Sequence, residues 1–473
     1  MVLAHRVVGP PLDFSPLIAQ LSLPGDFPPE AQAEAQDAAA RADDGRPDRT
    51  DLPLITVDPA GSKDLDQALH LAATDSGYLV SYAIADVAFF VRPSGALDTA
   101  THARGETFYL PDRRIPLHPP VLSEGAASLL PGQDRPAVLW QISLDRTGEI
   151  TDIAVGRARV RSREQWSYPD LAAALDAGTA PEAARLLPEI GRLRQALARA
   201  RHAITLNLPQ QEVVADTGAG AASWTLTYRA PLPVEDYNAE ISLLTGMAAA
   251  TIMLAGSIGV LRTLPEPTEA TVAALRRIAP ALGVAWPDGA EPGDVIAGLD
   301  PSDPKQAAFL DHASSLLRGA GYQSFDGAPP AETGHAGIGG PYAHVTAPLR
   351  RLIDRYGTEV CLALHAGTPV PDWVRAALPA LPAELAAADH TGHSLDRAVV
   401  DMTEAFLLSD RIGEVFEAVV LEPEAHVATI AIADPPIRAK AKGSGLSAGE
   451  SVRVRLDEAD VAARLVSFTV VPG

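Results

Sequence analysis

Asp58, Asp64 and Asp66 fall within nine residues, in the run L-I-T-V-D-P-A-G-S-K-D-L-D-Q-A-L from Leu54 to Leu69. Carboxylates are hard oxygen donors, and a cluster of them holds Mg²⁺ at about 2.0–2.1 Å against a phosphodiester. The spacing therefore suits a divalent metal and phosphoryl transfer. Leu54-Ile-Thr-Val57 reads as a buried strand, and Pro59, Gly61 and Ser62 make the loop after it. Asp64 and Asp66 alternate with Leu65, so an extended strand places both on one face. Acidic residues among Pro, Gly and Ser also serve as solvated turn formers, and two further stretches decide between the readings.

Residues 103–136 read A-R-G-E-T-F-Y-L-P-D-R-R-I-P-L-H-P-P-V-L-S-E-G-A-A-S-L-L-P-G-Q-D-R-P, and residues 335–355 read H-A-G-I-G-G-P-Y-A-H-V-T-A-P-L-R-R-L-I-D-R. With the acidic run, in this order, they resemble the ribonuclease II family. Ile84-Ala-Asp-Val87 and the run V-L-R-T-L-P-E-P from Val260 add to the likeness. The resemblance spans about Leu52 to Arg397 and continues more weakly to the C-terminus.

The resemblance implies a mixed α/β (α+β) catalytic domain and hydrolysis of single-stranded RNA from the 3′ end, processively, to nucleoside 5′-monophosphates. By motif position Asp58, Asp64 and Asp66 would bind Mg²⁺, with Mn²⁺ as the alternative, and serve as catalytic groups. Arg350 would donate to a phosphate oxygen in the transition state. Tyr109 would pack on the 3′-terminal nucleotide, and Tyr168 and Trp224 would be further aromatic contacts to RNA. Arg351 would touch RNA or, paired with Asp354, align Arg350. The family has a fourth aspartate where this chain has Gln67, a ligand without charge. Other departures are Ala83 and Leu264 for histidines, Ala347 for serine, Leu352 for tyrosine, and Ser242 and Leu243 for paired glutamates. His118, His335 and His344 do not form a metal-ligand spacing.

At 473 residues and 47% hydrophobic content the chain has room for two or three domains. Its one cysteine, Cys361, excludes an intrachain disulfide framework and suits a reducing cytoplasm. The N-terminus lacks a basic region followed by an apolar run, so no signal peptide is expected. Ile241 to Leu261 carries no charge and is long enough to cross a bilayer, but its many small polar residues favour a buried helix, so no membrane partner is expected. A net charge of −22 opposes binding to nucleic acid, whereas Arg113, Arg114, Arg350, Arg351 and Arg355 collect beside the motifs and allow a local positive channel.

Three segments are expected. Residues 1–50 hold two helix-like stretches, near Phe14–Leu21 and Pro29–Ala40, as a small module or an arm on the core. Residues 51–410 form the ribonuclease II-type domain. Residues 411–473 carry five short strand patterns, which suit a small all-β OB/S1-like barrel whose Lys440, Lys442, Arg453 and Arg455 reach phosphates. The leading expectation is a monomeric, cytoplasmic exoribonuclease acting on single-stranded RNA. The alternatives are an RNA-binding protein of the same fold weakened by Gln67, and a metal-dependent hydrolase of another phosphodiester.

Overall fold

A computed structural model describes residues 4–7, 12–41, 45–206, 210–216, 223–229, 231–300, 303–432 and 437–472. The apolar run at Leu54 becomes the first strand, Leu54–Asp58, of a closed five-stranded barrel. The strands Gln67–Thr74, Gly77–Ala85, Asp134–Asp145 and Ile150–Ser167 follow in antiparallel order. The barrel closes where Leu54–Asp58 runs parallel to Ile150–Ser167, with Asp58 opposite Ser167.

Side chains along a strand alternate between faces, and both faces of these strands are covered. Ile55, Val57, Leu69, Tyr82, Val138 and Trp140 join a core with the helices Pro233–Gly256 and Leu352–His365. Leu54, Ala68, Ala83, Ala85 and Leu139 join a second core with Ala31, Ala35 and Ala38 of the helix Pro29–Ala39. The N-terminal helices thus lie against the main body, Phe14 and Leu17 packing with Phe108, Leu395 and Met402.

The helix Pro233–Gly256 begins with proline at its first position, and the Glu235 carboxylate accepts the Leu232 amide at 2.9 Å. Its composition would let it cross a membrane, yet Ile241, Leu244, Ala248 to Ala250 and Met253 are buried in the main core. The uncharged run to Leu261 is not one helix. Ser257 takes a left-handed conformation at φ 54°, and the chain turns into the strand Ile258–Thr263.

The helix Leu352–His365 is buried along nearly its whole length, so the segment before it is held on a rigid element. The long helix Leu381–Leu408 then leads to a second closed five-stranded barrel between Val415 and Val471. In its strand Ile437–Lys442 the residues Ile437, Ala439 and Ala441 point inward, and Arg438, Lys440 and Lys442 point out.

Candidate active site

The three motifs converge at one end of the first barrel. Asp58 ends its strand, and burial together with the charge of Asp64 raises its carboxyl to about 7 against the pull of Arg350. Asp64 and Asp66 stand outside regular structure, since the next strand starts only at Gln67. The shared strand face expected for them therefore does not form, and other groups orient each one. Asp64 accepts from Arg114 Nη1 at 2.6 Å, and the other arm of Arg114 lies 2.6 Å from Glu124. Asp66 is buried and accepts the Leu349 amide at 2.8 Å. Burial pushes the Asp66 carboxyl up to about 8, with Arg350 and the Leu349 amide opposing.

Arg350 reaches into this group with Nε 3.6 Å from Asp66 Oδ2, and about half of its side chain (48%) is exposed. It is a half-exposed cation beside a buried carboxylate. Arg351, expected to touch RNA or to align Arg350, places its fork on Asp354 at 2.9 and 2.8 Å. Asp354 also accepts the Ala347 amide at 2.6 Å. Its place in the first turn of the helix Leu352–His365 suits a carboxylate, which the helix dipole favours there. Arg351 is therefore engaged with a buried carboxylate of its own motif.

Tyr109 and Arg114 sit opposite one another in the short hairpin Phe108–Tyr109 with Arg114–Ile115. Tyr109 is 48% exposed, and Asp64, Arg350 and Asp66 all act on its hydroxyl. Tyr168 opens the helix Tyr168–Asp176, feels the charge of Asp58 and accepts from Asn238 at 3.4 Å. Ser242, at a position where the resemblance implies glutamate, shares a 2.8 Å hydrogen bond with the buried Tyr82. Trp224 lies on the strand Ser223–Arg229, and its side chain is outside the described residues.

Gln67, expected as an uncharged metal ligand, is engaged through its amide nitrogen. Its Nε2 donates to the Thr346 carbonyl. Among the described residues no three of Asp, Glu, His and Cys stand close enough together to hold a metal ion. Of the expected set, Asp64 is engaged by Arg114, one oxygen of Asp66 by the Leu349 amide, and the Gln67 amide nitrogen by the Thr346 carbonyl. In donor type and charge, Asp58, Asp64 and Asp66 fit a hard divalent cation. They are oxygen donors, and the Asp58 carboxyl is raised first by burial and then by the neighbouring charge of Asp64.

A groove of about 1190 Å³ runs from Tyr109 and Leu110 along the helix Leu381–Leu408 to the second barrel. Arg318, Arg397, Arg438, Lys440 and Arg464 line it, together with Asp396, Asp401, Glu404 and Glu422. On the barrel, Lys440 pairs with Glu424 at 2.7 Å, Arg455 pairs with Asp457 at 3.0 Å, and Arg453 donates to the Pro472 carbonyl. Of the four cations expected to reach phosphates, only Lys440 lines the groove. Arg114's two acidic partners and the groove arginines on other elements went unassigned in the sequence reading. The six-residue span from Tyr109 to Arg114 was the one available signal, since a tight hairpin puts its ends side by side.

Residues 46–360 match the RNB domain, and residues 414–471 match the RNase II-type exonuclease C-terminal S1 domain. The chain is 32% identical over 203 residues to ribonuclease R of Acidithiobacillus ferrooxidans, a stretch covering 41% of this chain and 46% of that protein. It is 43% identical over 126 residues to the inactive exonuclease DIS3L2 of Arabidopsis thaliana, covering 26% of this chain and 12% of that one. Each match thus spans less than half of the relative's length. The fold resembles that of Mycoplasma genitalium RNase R in complex with ribose-methylated single-stranded RNA. That likeness has a TM-score of 0.85 at 20% identity and covers 96% of this chain and 77% of that one.

Proposed function

The chain belongs to the RNB-domain family of exoribonucleases and carries an RNase II-type S1 domain, and on that premise we propose that it is a metal-dependent 3′→5′ exoribonuclease. It degrades single-stranded RNA processively to nucleoside 5′-monophosphates. The observation that carries this reading is the groove that runs from the second barrel to Tyr109, whose hydroxyl feels the charges of Asp64, Arg350 and Asp66.

Groove arginines guide the phosphates, and the Tyr109 ring stacks on the terminal base and sets how far the strand enters. Arg350 donates to the scissile phosphate and stabilises the charge that grows there. Asp58, Asp64 and Asp66 would hold Mg²⁺ or Mn²⁺. When bound, the cation neutralises phosphate charge and lowers the pKa of the attacking water. Asp66, fixed by the Leu349 amide, and Arg350, backed by the Arg351–Asp354 pair, keep the two charges in register. Water adds to the last phosphodiester, the 3′-oxygen of the preceding nucleotide leaves with a proton, and a nucleoside 5′-monophosphate is released.

The solved relative bound to single-stranded RNA supports that substrate. On this reading the protein works as a monomer in the cytoplasm, a compartment that suits its single, buried cysteine. A 5′-labelled single-stranded RNA incubated with Mg²⁺, Mn²⁺ or EDTA tests it. Metal-dependent shortening from the 3′ end, absent in Asp66→Asn, is expected, and an unchanged RNA in every lane would refute it. A second reading, an RNA-binding protein that does not cleave, rests on Gln67 standing where the four-aspartate motif carries its last carboxylate. Retained RNA binding without shortening would select it.

A further inference from the structure

We propose that Gln67 is a positioning residue for Arg350 and not a metal ligand, so that three carboxylates make up the whole charged donor set. The inference rests on the placement of the active site above. The Thr346 carbonyl can only accept, which fixes the amide of Gln67 with Nε2 toward it. An aspartate at 67 is one methylene shorter and, ionised, has no proton to donate, so it would oppose one oxygen with another.

The residue beside it completes the arrangement. Asp66 accepts the Leu349 amide at 2.8 Å while Gln67 donates to the Thr346 carbonyl. Two consecutive side chains thus clasp one loop, one as acceptor and one as donor. Asp354 holds the same loop from the other side through the Ala347 amide and the Arg351 fork. Within Thr346 to Arg351 these contacts leave Arg350 as the cation directed at the site, its Nε 3.6 Å from Asp66 Oδ2. The donor that Gln67 supplies is specific to this chain's residue, since the four-aspartate motif has none there.

Gln67→Met keeps the length of the side chain but removes the donor and any hard oxygen ligand, and Gln67→Asp restores a carboxylate without a donor. Hydrogen–deuterium exchange in metal-free protein without RNA should rise about tenfold at the Leu349 and Arg351 amides in both variants, as expected for the loss of one hydrogen bond. Mn²⁺ affinity measured by calorimetry should stay within about twofold of wild type in Gln67→Met, because no ligand is lost. For RNA cleavage, Gln67→Met should lower kcat with KM unchanged, and the loss should vanish in an Arg350→Ala background. Unchanged exchange with a tenfold or greater loss of Mn²⁺ affinity in Gln67→Met would overturn the proposal and make Gln67 a ligand. The exchange and Mn²⁺ measurements need no turnover, so failure of the nuclease reading and failure of this one remain separate results.

Discussion

The Leu349 amide donates to Asp66 Oδ1 at 2.8 Å, so a residue of the acidic motif is aimed by the backbone of the arginine motif. An asparagine at 66 can still accept that bond through its own oxygen. Asp66→Asn should therefore keep its unfolding midpoint within about 2 °C of wild type in EDTA, and keep RNA affinity, while losing cleavage. Asp66→Ala strands the buried amide and should cost about 1–3 kcal/mol. Chemical denaturation of both variants checks the contrast, and equal destabilisation would show that the bond does not orient the site.

Arg114 competes with any metal for Asp64, since it already contacts Asp64 and Glu124, each at 2.6 Å. Arg114→Gln removes the competitor and should tighten Mn²⁺ binding by about two- to fivefold, on the scale of one partly exposed ion pair. A weaker Mn²⁺ affinity in the calorimeter would mean that Arg114 holds Asp64 ready for the metal.

Tyr109 is half exposed at the inner end of the groove, as a stacking platform must be. Tyr109→Ala should weaken binding of a short single-stranded RNA by about 1–3 kcal/mol, and Tyr109→Phe should be close to neutral, because the ring and not the hydroxyl does the stacking. Fluorescence anisotropy on a labelled oligomer separates the two, and equal losses would point to the hydroxyl instead.

Salt dependence distinguishes the groove from the barrel surface. Each phosphate-contacting cation removed should lower the slope of log K against log salt by about 0.7 for a single strand. Arg318→Ala and Arg397→Ala, in the groove, should each show this change. Arg455→Ala should not, because Arg455 is already paired with Asp457. A reversed result would move the RNA path onto the barrel face.

His118 is buried, and its Nδ1 donates to the Leu349 carbonyl at 3.1 Å. Burial lowers its pKa to about 4, against the ordinary value of 6.5. Between these values the unfolded chain binds a proton that the folded chain refuses. Stability tied to His118 is thus complete above pH 6.5 and falls as pH drops toward 4, by up to about 3 kcal/mol. His118→Gln, neutral and still a donor, should flatten the acid limb of stability against pH over that window. Denaturant midpoints of the two proteins at matched pH cancel the other titrating groups, and parallel curves would remove His118 as the cause.

The strands of both barrels were legible because their apolar residues run together or alternate, and local pattern suffices for that. Asp58, Asp64, Asp66, Tyr109 and Arg350 were legible as motif positions. Their mutual arrangement was not, because it depends on side chains from distant segments. Nothing near Asp64 in the chain points to Arg114, and nothing near Gln67 points to Thr346. The uncharged run beginning at Ile241 read as a possible membrane span, since burial inside a protein and burial in lipid select the same residues. Only the turn at Ser257 separates it into helix and strand.

The clasp on the Thr346–Leu349 loop also sets a time. Asp66 and its Leu349 partner are 283 positions apart, so during synthesis the acidic loop and the closed first barrel leave the ribosome long before the arginine that completes the site. The growing chain carries carboxylates without their opposing cation until Arg350 has emerged and its loop has docked. Assembly from the N-terminus onward therefore joins Asp66 to its backbone partner only after the loop before the helix Leu352–His365 has been made.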